Sequence, residues 1–186
     1  HGDSPLDGAH FATSPFERDV AGKVLADARV YFGESNSPAG IWGVSMGGAF
    51  ALRAVSQSPA TWKAAVIVSS FDSLEGVVDD KLAFLPRPIP SLLSLSLDFM
   101  AHYRGGLALQ DAHPAVWAEG VTTPVLIAHG DRDQVIAEKR GKHLFNALHS
   151  TDKSWLVVRG ANHRDVLTTS APLYARMSEW FIAHVR

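Results

Sequence analysis

The segment Ile41-Trp42-Gly43-Val44-Ser45-Met46-Gly47-Gly48-Ala49-Phe50 decides how the chain folds. Its first four residues are a short apolar run, which predicts a buried strand. Gly47 onward, rich in Ala and Leu to about Ser56, predicts a helix. Ser45 lies on the turn between them, with glycine two residues before it and two after. A turn this tight leaves no room for side chains beside the serine. Glycine at 43 and 47 is expected to remove the clash and tolerate the strained backbone. Ser45 Oγ is thereby held at the carboxyl end of a strand. The Met46 N–H, at a helix N-terminus, is free to donate to a negative oxygen.

The strand and helix are the first clear beats of an alternation. Ala64–Val68, Val125–Ala128 and Trp155–Val158 are further continuous apolar runs, as expected of parallel strands covered on both faces. Helices are predicted from the Ser14-Pro15-Phe16-Glu17 capping box toward Gly33, over Ile136–Leu148 and over Pro172–Val185. The fold class is therefore α/β, a mostly parallel sheet with helices on both faces. Residues 71–120 interrupt the rhythm. They hold a helical pattern at Leu74–Leu82, a loop at Pro86-Arg87-Pro88-Ile89-Pro90 and a helix over Ser91–Tyr103.

Composition narrows the function classes. A chain of 186 residues, 46% hydrophobic, is one domain's worth of sequence and can bury a sizeable core. Its net charge of −2 is well mixed, and without a basic stripe nucleic acid is not an expected partner. The absence of cysteine removes thiolate chemistry and disulfides but leaves the compartment open. The most apolar stretch, Ile89–Met100, is too short to span a bilayer. No pair of histidines or carboxylates has metal-site spacing, so no metal or cofactor is expected.

A serine hydroxyl needs a base, and the base needs an orienting partner. The third strand runs into His129-Gly130-Asp131-Arg132-Asp133-Gln134-Val135. The fourth is followed by Gly160-Ala161-Asn162-His163. Both loops leave strand C-termini, the same sheet edge as Ser45. With these three motifs in the order serine, acid, histidine, the chain resembles the α/β-hydrolase family. It looks most like small serine esterases, and somewhat like the catalytic domains of prolyl-oligopeptidase-type peptidases. The resemblance implies Ser45 as nucleophile, Asp133 as acid, His163 as base and Met46 N–H as an oxyanion donor. It also implies a small-molecule ester substrate. Asp72, after the second strand, is the rival acid.

His1-Gly2-Asp3-Ser4 resembles the loop after the family's fourth strand. On that match the residues form one catalytic domain, 1–186, that is N-terminally incomplete. An upstream segment or a second chain would complete the sheet beside Ile41–Val44 and supply the second oxyanion donor. Residues 71–120 are then expected either to form a cap over the site or to pack on the sheet. In a cap, Phe84, Leu85, Phe99, Met100, Tyr103 and Trp117 would form an apolar underside; otherwise the same residues pack helices onto the sheet. Asp131 is expected to stabilise its own turn, and His129 to pack or hydrogen-bond beneath the acid loop. Arg132 and Arg164 read as solvated loop arginines or as contacts to an anionic substrate.

Overall fold

The computed structural model describes residues 20–34, 36–86, 88–105, 112–168 and 171–186. Helix α1 (Val20–Phe32) leads into strand β1 (Ala39–Val44), then α2 (Met46–Gln57) and β2 (Trp62–Val68). Helices α3 (Leu74–Leu82), α4 (Ile89–Gly105) and α5 (Pro114–Ala118) follow. The chain closes with β3 (Val125–Gly130), α6 (Glu138–Ala147), β4 (Lys153–Val158) and α7 (Ala171–His184). The four strands lie in sequence order, β1-β2-β3-β4, and every pairing is parallel.

Side chains along a strand alternate between faces, and this divides the core. Ala65 and Ile67 of β2, with Val125 and Ile127 of β3, face Leu52 and Val55 of α2 and Leu144 of α6. Ala64, Val66 and Val68 of β2, with Leu126 and Ala128 of β3, face Leu173, Met177 and Trp180 of α7. With helices on both sides, β3 and all of β2 but the exposed Lys63 are buried, which is why their runs Ala64–Val68 and Val125–Ala128 are apolar. Strand β1 borders β2 on one side only. Among the described residues its other edge is unpaired, and Trp42 on it is 49% exposed.

Residues 71–120 do not pack as one unit. In α5, Trp117 is buried with Ala49, Phe71, Ala112 and Ile136, and the Arg53 guanidinium stacks 4.8 Å above its ring. Trp117 is thus core rather than underside. Helix α4 packs on α3 but leaves Leu92, Leu95, Phe99 and Tyr103 exposed. Phe84, at 81% exposure, is also outside the core. The helix starts at Ile89, inside the stretch read as a proline loop, because Pro90 falls in the first turn, where its missing N–H leaves no bond unmade. The expected capping box at Ser14–Glu17 and the His1–Ser4 loop lie outside the described residues. Gly33, at φ 70°, ends α1 in the left-handed conformation expected of a helix stop.

Candidate active site

Ser45 occupies φ 55°, ψ −122°, a left-handed backbone that side chains disfavour by about 1–3 kcal/mol. The surroundings hold it there. Its N–H donates to the Val68 carbonyl at 2.8 Å, continuing the β1–β2 ladder. Its carbonyl accepts from Gly48 N at 3.0 Å and from Ser70 Oγ at 2.9 Å. Ser70 is a support the sequence reading passed over; its place just beyond β2, beside the serine turn, was the available signal. A Cβ on Gly43 would drive into the Gly47 carbonyl, so glycine is required at 43. Gly47 is different, because a Cβ there would meet nothing. It is the Gly47 backbone, not its missing side chain, that crowds the turn.

Met46 opens α2, so its N–H has no carbonyl one turn back. That donor sits next to Ser45, at the positive end of the helix dipole.

The three loops meet at the carboxyl edge of the sheet. Ser45 Oγ lies 3.0 Å from His163 Nε2. His163 Nδ1 lies 2.7 Å from Asp133 Oδ2. These contacts fix one tautomer: Nδ1–H donates to the carboxylate, and Nε2 is left to accept the serine proton. The other carboxylate oxygen, Asp133 Oδ1, accepts from Val135 N at 2.9 Å and Ile136 N at 2.8 Å. Asp133 is 8% exposed, and its hydrogen bonds come from backbone amides and the imidazole rather than from a guanidinium.

Asp72 takes no part in this chain. It lies 3.2 Å from His143 Nδ1 and accepts from Arg140 Nη1 at 3.3 and 3.4 Å. Arg140 also reaches Asp80 through Nε at 2.8 Å and Nη2 at 3.0 Å. The Arg140 hydrogen bond holds the Asp80 carboxyl down at about 2, and Lys139 adds to the effect. The same Asp80 contact raises the Arg140 guanidinium above its ordinary range.

His129 is wholly buried beneath the acid loop, as expected. Its Nε2 is 3.0 Å from the Ile136 carbonyl, so that nitrogen carries the proton and donates. The same nitrogen is 3.6 Å from Asp133 Oδ2. Burial pushes this imidazole below the ordinary histidine range and keeps it neutral. Asp131 does not brace its own turn. Its Oδ1 accepts from Gly160 N at 2.6 Å and ties the acid loop to the histidine loop. Arg132 N donates to the Ala161 carbonyl at 3.0 Å and makes a second tie.

Three solved structures of similar fold set the scale of the domain. The zinc-bound structure of a cold-adapted esterase from an Arctic intertidal metagenomic library is 18% identical, at a TM-score of 0.63. The similarity covers 92% of this chain and 59% of that one. The monoacylglycerol lipase of Paleococcus ferrophilus is 19% identical, at a TM-score of 0.62, over 90% of this chain and 76% of the lipase. The acylaminoacyl peptidase of Pyrococcus horikoshii is 16% identical, at a TM-score of 0.68, over 91% of this chain and 27% of the peptidase. This chain thus spans about three fifths of the esterase and about a quarter of the peptidase. No curated protein matches the sequence. The chain has the α/β-hydrolase fold, and because the prolyl oligopeptidase family model matches residues 23–186 it belongs to that family.

Proposed function

We propose that this chain carries the catalytic machinery of a serine hydrolase acting on carboxylic esters, with Ser45, His163 and Asp133 as its triad. One observation carries the reading: the unbroken hydrogen-bonded chain from Ser45 Oγ through His163 to Asp133. His163 Nε2 removes the serine proton as Oγ attacks the carbonyl carbon. Asp133 holds the tautomer and stabilises the imidazolium that forms. Met46 N–H receives the developing oxyanion. The imidazolium returns its proton to the leaving group, and an acyl-serine remains. Water, deprotonated by the same imidazole, releases the acid and restores the serine.

A second oxyanion donor belongs to a segment beyond β1. We propose that a further strand pairs with the open edge at Ile41–Val44, supplied by an upstream part of the polypeptide or by a second chain. An apolar cleft of about 480 Å³ beside that edge, lined by Val24, Leu25, Ile41, Trp42 and Phe50, supports this reading. The exposed apolar residues of α4 support a second proposal, that residues 71–120 form a cap-like insertion whose apolar side chains favour acyl or aromatic esters.

Peptide or amide cleavage is the second reading, favoured by the prolyl oligopeptidase match. Fluorophosphonate labelling tests the shared chemistry. Label on Ser45 of the folded full chain supports a serine hydrolase; a folded, complete protein that takes none is a binding module instead. Turnover of p-nitrophenyl esters well above that of peptide anilides supports the esterase, and the reverse order supports the peptidase.

A further inference from the structure

Each of the two loops that carry the acid and the base also carries an arginine next in sequence. Arg132 precedes Asp133, and Arg164 follows His163. The loops are joined by the Asp131–Gly160 and Arg132–Ala161 hydrogen bonds, so the two arginines are held in one frame with the imidazole. Together with Gln134, Asn162 and Asp165 they line a cavity of about 480 Å³ that has His163 in its wall.

The charges in that wall are unequally occupied. Asp165 Oδ1 accepts from Asn162 N at 2.6 Å, and Oδ2 from Asn162 Nδ2 at 2.7 Å. Asp131 is turned to the Gly160 amide. Among the described residues, neither the Arg132 nor the Arg164 guanidinium has a carboxylate partner. Arg140 and Arg176, by contrast, are each paired with acids. Two planar, permanently charged forks with open donors suit a carboxylate or a phosphate.

The position selects which part of a substrate they would meet. His163 returns the proton to the leaving group, so the leaving group must lie on the imidazole's side of the reacting carbon. We infer that this cavity is a leaving-group subsite for an anion, in which Arg132 and Arg164 bind a carboxylate carried by the departing alcohol or amine. The inference rests on the serine hydrolase reading above. It adds the substrate class: esters or amides whose leaving half is negatively charged.

The test uses the full chain and two butyryl esters that share an acyl group, one of 3-hydroxybenzoate and one of 3-hydroxybenzamide. The anionic ester is expected to have kcat/KM about tenfold higher, mostly through KM, with the preference shrinking as salt rises. In an Arg132→Ala/Arg164→Ala variant the preference should vanish, while turnover of the benzamide ester stays within about twofold. Equal kcat/KM for both esters, or a preference that survives the double substitution, overturns the inference. A phosphate-bearing phenol preferred over the benzoate would overturn the carboxylate assignment. Failure of the underlying chemistry reads differently, as absence of fluorophosphonate label on Ser45. NMR titration of 3-hydroxybenzoate into the Ser45→Ala protein then decides the matter separately. Shifts at Arg132 and Arg164 support the subsite, and their absence overturns it.

Discussion

Asp72 and Asp133 have much in common and do different things. Each follows a buried parallel strand, each is 8% exposed, and each touches a histidine. Asp133 receives two backbone amides on one oxygen and directs the other at His163. Asp72 faces the Arg140 guanidinium, which also grips Asp80 on α3. A carboxylate already matched by arginine has little field left for an imidazole. A carboxylate held by neutral amides is left to act on the rings beside it, His163 at 2.7 Å and the buried His129 at 3.6 Å. The difference thus lies in what else each acid binds: Asp72 ties the loop after β2 to α6, and Asp133 turns one oxygen to the His163 ring.

The largest expected effect breaks the Asp133 half. Asp133→Asn keeps the shape but can present an N–H to His163, which favours the wrong tautomer. The kcat on an activated ester is expected to fall about 10⁴-fold with KM little changed. A loss of less than about tenfold would return the acid role to Asp72. The matching change, Asp72→Asn, should leave turnover within about threefold. It removes one partner of Arg140 while Asp80 stays, so urea unfolding should report a loss of about 1 kcal/mol. Collapse of activity with stability intact would reverse the assignment.

His129 gives a smaller, sharper test. Its donor spans the acid loop from β3 to Ile136, while its buried Nδ1 has no hydrogen-bond partner among the described residues. An orphaned buried nitrogen destabilises, so packing alone does not account for a histidine here. His129→Leu should lower kcat about tenfold, as expected for one lost hydrogen bond that positions Asp133, with His129→Gln partly restoring it. Unchanged kcat in the Leu variant would reduce His129 to a core residue.

Much of this was readable before any geometry was known. Ser45 and His163 lie 118 residues apart, yet each sits on a loop leaving the carboxyl end of a parallel strand, and parallel strands bring those ends to one edge. The continuous apolar runs gave β2 and β3 away because both their faces are covered. The remaining features depend on pairing that no local pattern encodes. The Asp72–Arg140 contact spans 68 residues and joins a strand end to a helix. Asp131 bonds across to Gly160 rather than within its turn. Helix α5, at five residues, is too short to show a period, so Trp117 read as part of an insertion although it is packed against α2. The Ser45–Asp133 side of the sheet was legible from chain order, whereas the Asp72 side needed the tertiary structure.

The smallest effect probes the Arg140 cluster by pH, through Asp80. Asp80 titrates at about 2 in the folded chain, below its ordinary 3.8, because Arg140 and then Lys139 hydrogen-bond to its carboxylate. A depressed folded value means that the charged form stabilises the fold above the unfolded value, and that this contribution is lost as pH falls from about 4 toward 2. With the pair partly in solvent, the contribution at neutral pH is about 1 kcal/mol. Asp80→Asn should therefore lower urea stability by that amount at pH 7, with the gap to the parent closing near pH 2. Loss of Asp80 also frees Arg140 to turn fully onto Asp72, which strengthens the cation there and moves nothing at Asp133. Turnover at pH 7 should accordingly be unchanged. A fall in kcat would mean that the Arg140 cluster reaches the imidazole after all, and that the two acids are coupled rather than divided.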